Sequence, residues 1–237
     1  MLLDHPYIEK PAPETTIWRY IDLERFISLL HTRSLFLCRL DAFRDPWEGT
    51  WPRSVVEGVK TNWTEGRGDN FLKMTNNLKT SYYVSCWHSS RSESAALWVL
   101  YSGKSGVAIK SSVKLLQNSI TDTKEHYVGH VKYSDFDTAP VPELNLLIPP
   151  FLKRKSFEHE REIRVLHWDT KADSKTGMPE TPPESHSLTI DPNVLIDKLY
   201  IAPSSPAWLA SSVQELCRRF DLAIEVQRSS LYDARIY

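Results

Sequence analysis

The sequence predicts an α+β fold: a mixed, largely antiparallel sheet flanked by helices. Short β-branched and aromatic runs are interleaved with segments whose apolar residues recur at every third or fourth position. Strands and helices follow one another without a strict β-α-β rhythm, which argues against an all-parallel sheet. With 237 residues, 41% of them hydrophobic, the chain can bury one sizeable core. The expectation is a single domain over 15–237, preceded by an irregular arm over 1–14 that carries Pro6, Pro11 and Pro13.

The elements follow in order. "TTIWRY" (15–20) reads as a strand, and Asp22 caps a helix, "LERFISLL", with Leu23, Phe26, Ile27 and Leu30 on its apolar face. "SLFLCRL" (34–40) is a second strand, ending in the turn-rich "DAFRDPWEGTWP". Residues 53–79 read as helical with an interruption at "EGRGDN". "SYYVSCWH" (81–88) is a third strand, and "SESAALWVLY" (92–101) a helix with Ala95, Leu97, Trp98 and Tyr101 on one face. "SGVAIKS" (105–111) is a strand and 111–119 a short helix. "HYVGHVKYSDF" (126–136) alternates with period two, as a half-buried strand does. A Pro-rich stretch and a short helical segment lead to "KSFEHEREIRVL" (155–166), where a strand would put Glu158, Glu160 and Glu162 on one face with Arg164 beside them. A helix there would make the same glutamates an ordinary solvated face. Residues 170–186, polar and with four prolines or glycines, predict a mobile loop. The strands "HSLTI" and "IDKLYIA" flank a turn at Asp191-Pro192, and the capped helix "SPAWLASSVQELCRRF" (205–220) leads to "AIEVQRS".

Composition narrows the function classes. Lys and Arg number 29 against 30 Asp and Glu, so no global charge draws the chain to nucleic acid or to an acidic membrane. No segment approaches the roughly 18 apolar residues of a membrane span, and a cytoplasmic protein is expected. Cys38, Cys86 and Cys217 are too few and too scattered for a disulfide framework or a zinc site. Eight Trp, ten Tyr and eight Phe beside only eight Gly supply either core anchors or rings that stack on a flat ligand.

Three constellations could carry chemistry. Clustered Glu158, Glu160 and Glu162, if enclosed, must raise one carboxyl's pKa or be held for a cation, a sugar hydroxyl or an oxocarbenium-like centre. Asp41, Asp45 and Glu48 gather acceptors around Pro46, although turn stabilisation alone explains an aspartate before proline. Ser85 and His88 end a strand, Trp87, Trp98 and Tyr101 could stack on a base, and the serines before the helix could bind a phosphate. A capping box of Ser90 or Ser92 with Glu93 and an aromatic core explains the same residues.

Together "LDAFRDPWEG", "VSCWHSSRSESAALWVLYSGKSGVAI" and "KRKSFEHEREIRVL" resemble a largely bacterial family, domain of unknown function 2971, over roughly residues 16–203. The chain departs from that family's pattern at Val99 and at Ile163, where an aromatic is common. A more distant resemblance is to ADP-ribosyltransferases. The order of Arg19, Ser85 and Glu160-x-Glu162 is similar to that family's arginine, serine and glutamate-x-glutamate elements, which would imply a split sheet. The resemblance implies that Arg19 holds the diphosphate or ribose of NAD and Ser85 supports the ribose. It implies that Glu162 stabilises the ribosyl cation and Glu160 orients the acceptor.

The expected function is therefore that of a nucleotide-binding enzyme with NAD as cofactor or substrate. It would transfer ADP-ribose to a protein or nucleic-acid acceptor or cleave NAD, as an effector in phage defence or as a toxin. Asp45, Glu48, Trp87, His88, Trp98, Tyr101 and Arg164 would line the pocket. One alternative is a non-catalytic sensing module whose Arg39, Arg44, Arg154 and Arg164 hold phosphates. Another is a metal-dependent nuclease built on Asp45, Glu48, Glu160 and Glu162.

Overall fold

The structure, a computed structural model, describes residues 1–64, 66–140, 143–170 and 182–233. In chain order the elements are β1 (Thr16–Ile21), α1 (Leu23–Thr32), β2 (Ser34–Arg39), α2 (Arg53–Asn62), α3 (Arg67–Asn77), β3 (Tyr82–Ser89), α4 (Ala95–Leu97), β4 (Val107–Ser112), α5 (Val113–Ser119), β5 (Tyr127–His130), β6 (Lys132–Ser134), β7 (Leu152–Arg154), β8 (Glu162–Trp168), β9 (Ser185–Thr189), α6 (Pro192–Leu195), β10 (Lys198–Ile201), α7 (Trp208–Arg219) and β11 (Val226–Arg228). They form the expected α+β arrangement, a mostly antiparallel open sheet flanked by helices. The chain makes two compact units, each from three separated segments. The first comprises Met1–Pro11, Phe36–Cys86 and Lys124–His186, and the second Ala12–Leu35, Trp87–Thr123 and Ser187–Tyr237. The loop expected at 170–186 falls largely on 171–181, outside the described residues.

In the second unit β4 pairs antiparallel with β1 along its whole length, from Thr16↔Ser112 to Ile21↔Val107. On its other side β4 pairs with β10, which carries β11 parallel to it. Alternation puts Ile17, Ile109 and Leu199 on one face and Trp18, Tyr20, Ala108 and Tyr200 on the other. The second set builds a core with Leu97, Trp98 and Ala202. Asp22 caps α1 as expected, its carboxylate accepting from the Arg25 amide at 2.8 Å. Leu29 rather than Ile27 completes the helix's buried face with Phe26 and Leu30, and Ile27 stays 40% exposed.

Four expectations in this unit need correction. The helix over 92–101 is only the three-residue α4 followed by a π-helical turn, Trp98–Ser102, so Leu97 and Trp98 point inward while Ala95 and Tyr101 are exposed. Its cap is Ser94, and Glu93 does not close a capping box: its carboxylate accepts from Trp98 Nε1 and from Ser229. The Asp191-Pro192 turn is a short helix, α6, with Asp191 as its cap, whereas α7, expected to be capped, begins at Trp208 with Ala207 at its N-cap position and no side-chain cap.

In the first unit β8 pairs antiparallel with β5, Val128↔Val165 and Gly129↔Arg164, and also pairs with β3, which in turn pairs with β2. Ile8 of the N-terminal arm enters the core of this unit with Leu40, Tyr82, Val84, Leu147, Phe151 and Leu166. A side chain at Gly129 would collide with Ile8 at 2.2 Å, so only glycine lets the arm lie there. The expected strand over 126–136 is two strands. After β5 the Val131 amide bonds the Glu162 carbonyl at 2.9 Å, and β6 then pairs in parallel with β7, a strand absent from the sequence reading. The stretch 155–166 is likewise split. Lys155–Glu160 is a 3-10 turn, Arg161 adopts a left-handed conformation (φ 42°), and only from Glu162 does the chain extend. The alternation from 158 to 162 contains only polar residues, and without an apolar face to bury it did not make a strand.

Candidate functional site

The split at Arg161 decides where the three glutamates go. Glu158 is exposed, while Glu160, the last residue of the turn, and Glu162, the first of β8, are buried. They do not share a strand face. They meet because both reach Lys153 of β7. The Lys153 ammonium donates to Glu160, to Glu162 at 2.5 Å, and contacts Glu48 at 3.0 Å, so each of its three N–H groups faces a carboxylate. β6 positions this lysine through the pair Tyr133↔Lys153, and the Tyr133 hydroxyl accepts from the Glu162 amide at 2.8 Å.

Arg164 stands two residues beyond Glu162 on the same face of β8, as the sequence suggests, and is fully buried. Its Nε donates to Glu162 at 2.8 Å, one Nη to Glu48 at 2.9 Å and the other to the Pro150 carbonyl at 2.7 Å, with Phe43 beneath the guanidinium. Glu48 is delivered by the turn after Pro46. The Asp45 carboxylate accepts from the Trp47 amide, the Glu48 amide bonds the Asp45 carbonyl, and Gly49 follows at φ 67°. A Cβ on Gly49 would lie 2.4 Å from the Leu40 side chain, so this turn requires glycine immediately after Glu48. Asp45 itself is drawn to Arg154, whose guanidinium bonds it at 2.8 and 3.2 Å.

Among the described residues, these three buried carboxylates share two buried cations, one negative charge more than the pair carries. Burial and the neighbouring Glu162 push the Glu160 carboxyl above the usual range, against the pull of Lys153. Burial also opposes ionisation of Glu162, but Arg164 and Lys153 outweigh it and hold that carboxyl well below the usual range. Lys153 and Arg164 are disfavoured as charges by burial, yet Glu162 and Glu48 more than compensate and keep both protonated. Burial, then the Glu162 charge, raises the Cys86 thiol and the Tyr133 hydroxyl. Two adjacent carboxyls with opposed proton affinities are the arrangement that assigns an acid–base role to one and a fixed charge to the other.

The structure brings together Glu48, Glu160, Glu162 and Arg164 of the expected site, with Asp45 held through Arg154. Ser85, buried on β3, belongs to the same unit. Arg19, Trp87, His88, Trp98 and Tyr101 belong to the second unit. There the Arg19 guanidinium lies 5.6 Å from the Trp87 ring, Trp98 is a core residue, and Tyr101 is 45% exposed. Of the arginines expected to hold phosphates, Arg164 is sealed among carboxylates and Arg39 is paired with Asp41. Lys153 was the residue sequence reasoning missed. Its signal is faint: a lysine directly after Phe151 and Leu152, with acidic partners seven and nine positions on.

Among the described residues no three His, Cys, Asp or Glu side chains converge on a point where a metal ion could sit, and no helix is long and apolar enough to cross a membrane. Compared with family models, curated proteins and solved structures, the chain matches none.

Proposed function

We propose that the chain is a cytoplasmic, nucleotide-binding enzyme that breaks the bond between nicotinamide and ribose in NAD, passing the ADP-ribosyl group to a protein or nucleic-acid acceptor or to water. One observation supports this above others: Glu160 and Glu162 share Lys153 while their proton affinities are driven apart. In this reading the C–N bond breaks with its electron pair leaving on nicotinamide. The ribosyl cation then bonds to an acceptor oxygen, whose proton passes to Glu160. A carboxylate whose pKa lies above the usual range is a better base for that transfer than an ordinary one. The charge of Glu162 is already met by Lys153 and Arg164, so in this reading Glu162 orients Lys153 and Glu160 rather than stabilising the ribosyl cation, and Glu160, expected to orient the acceptor, also takes its proton. Ser85, in the same unit as the glutamates, keeps the ribose-supporting role that the resemblance implies.

The nuclease reading has less support, because the Lys153 ammonium occupies the centre of the carboxylate group where a divalent ion would have to bind. The test is release of nicotinamide from NAD by purified protein, followed by chromatography, for the natural chain and for Glu160→Gln. Turnover lost in the variant, with an unchanged circular dichroism spectrum, is expected. Neither nicotinamide release nor a thermal shift with NAD in the natural protein would remove the proposal.

A further inference from the structure

A site whose carboxylates are less than a tenth exposed needs a way in, and the turn Lys155–Glu160 is the element built differently from its surroundings. It is six residues of 3-10 structure, longer than such runs usually are, with no side-chain cap at its start. It ends at Arg161, a non-glycine residue in the left-handed region, where a side chain costs about 1 kcal/mol or more. Lys155, Ser156, Glu158 and His159 are exposed. Two of the turn's attachments, among the described residues, are to cations. Phe157 lies across the site's cations, its ring 4.8 Å from Lys153 Nζ and 5.5 Å from the Arg154 guanidinium, and Glu160 bonds Lys153. The second attachment is compromised, because the same ammonium also binds Glu162, so an ionised Glu160 sits beside a like charge.

We propose that Lys155–Glu160 is a proton-sensitive lid over Lys153 and Glu162, clamped while Glu160 carries a proton and loosened when that proton leaves. Glu160 faces Glu162 of β8 and Lys153 of β7. Behind these stand Glu48, Arg164, the Tyr133 hydroxyl and the Cys86 thiol, and Glu158 and His159 share its own turn. The buried ones among them set Glu48, Glu160 and Glu162 against Lys153 and Arg164, and a proton on Glu160 lowers that negative excess, while Lys155, Glu158 and His159 are exposed. The sign follows from linkage. In the closed turn the Glu160 carboxyl is raised by burial and by Glu162, whereas in an open turn it meets water, so the closed form binds the proton more tightly. Closure is therefore favoured as pH falls and opening as pH rises past the usual carboxylate range. Phe157 and the strain at Arg161 oppose each other in setting how far the open form is populated. Use of this lid for substrate entry rests on the reading of the site given above; the lid itself does not.

Hydrogen–deuterium exchange of the full chain without ligand tests it, read by mass spectrometry on peptides covering 155–161 and, separately, β8. After division by the intrinsic exchange rate, protection of the turn in the natural protein should fall as pH rises above about 4.5, toward a limit of about tenfold for each pKa unit separating closed from open. Glu160→Gln should keep the turn protected with no pH dependence, and Phe157→Ala should leave it weakly protected throughout, with β8 unchanged in both. Exchange of the turn together with β8 at every pH, or one pH profile shared by the natural protein and Glu160→Gln, would overturn the lid. Because no NAD is present, failure of the lid and failure of NAD cleavage are separate results.

Discussion

The two units bury polar atoms in opposite ways. In the second, three polar tips of buried aromatics have separate nearby partners: Trp18 Nε1 donates to the Ser90 carbonyl, the Tyr20 hydroxyl accepts from the Ser94 amide, and Trp98 Nε1 donates to Glu93, while Trp87 Nε1 is buried without one among the described residues. These bonds are separate, and losing one leaves the others intact. In the first unit, Lys153, Arg164, Glu48, Glu160 and Glu162 form one connected group with a charge to spare. Removing one member there strands the rest in a low-dielectric interior. Independent hydrogen bonds make a core tolerant. A shared network makes it sensitive to single changes and to pH, and the candidate site lies in the unit with the network.

The largest test of this contrast is Arg164→Met. It leaves Glu48 and Glu162 with Lys153 as their one shared cation among the described residues, and should cost about 3–5 kcal/mol in urea unfolding. Trp98→Phe in the other unit keeps most of the buried ring and loses the bond to Glu93, so a cost of about 1–2 kcal/mol is expected by the same measurement. Equal losses would erase the distinction. Asp22→Ala removes the α1 cap and should cost about 1 kcal/mol without altering the site.

The smallest effect has the most telling sign. Glu160 has a raised folded-state carboxyl, so its contribution to stability is present below the ordinary value near 4.5 and is lost as pH rises through the raised one. Glu162 has a lowered carboxyl, and its contribution is present above the ordinary range and lost as pH falls through the lowered value. Glu160→Gln should therefore gain stability relative to the natural protein as pH rises from 4.5 toward neutrality. A urea-midpoint series at several pH values reads the difference directly, and a variant that loses ground as pH rises would contradict the network's charge count.

Much of the fold was legible because its signals are local. The alternation of Trp18 and Tyr20 with Ile17 and Ile21, the Asp22 cap and the helical spacing of Phe26 and Leu30 each involve neighbours within a few residues, and β1 and α1 follow. Local signals failed where a pattern lacked burial behind it. The charged alternation from Glu158 to Glu162 imitated a strand, and the serines before α4 imitated a capping box while Glu93 was engaged by Trp98 and Ser229. For the site, the placing of Glu162 and Arg164 on one face could be read from period two alone, whereas the same period put Glu158 on that face and the turn leaves it exposed.

The sequence by itself determined the fold class, most strands and helices, and the identity of the glutamate pair with its arginine. Only the tertiary structure decided that Glu160 and Glu162 meet across a turn, that Glu48 arrives from more than a hundred residues away, and that Lys153 joins all three. The physical reason is one of range. Propensity and periodicity act over a few residues, whereas a buried charge is governed by whichever groups the strand pairing of β5 to β8 and of β6 to β7 happens to enclose with it.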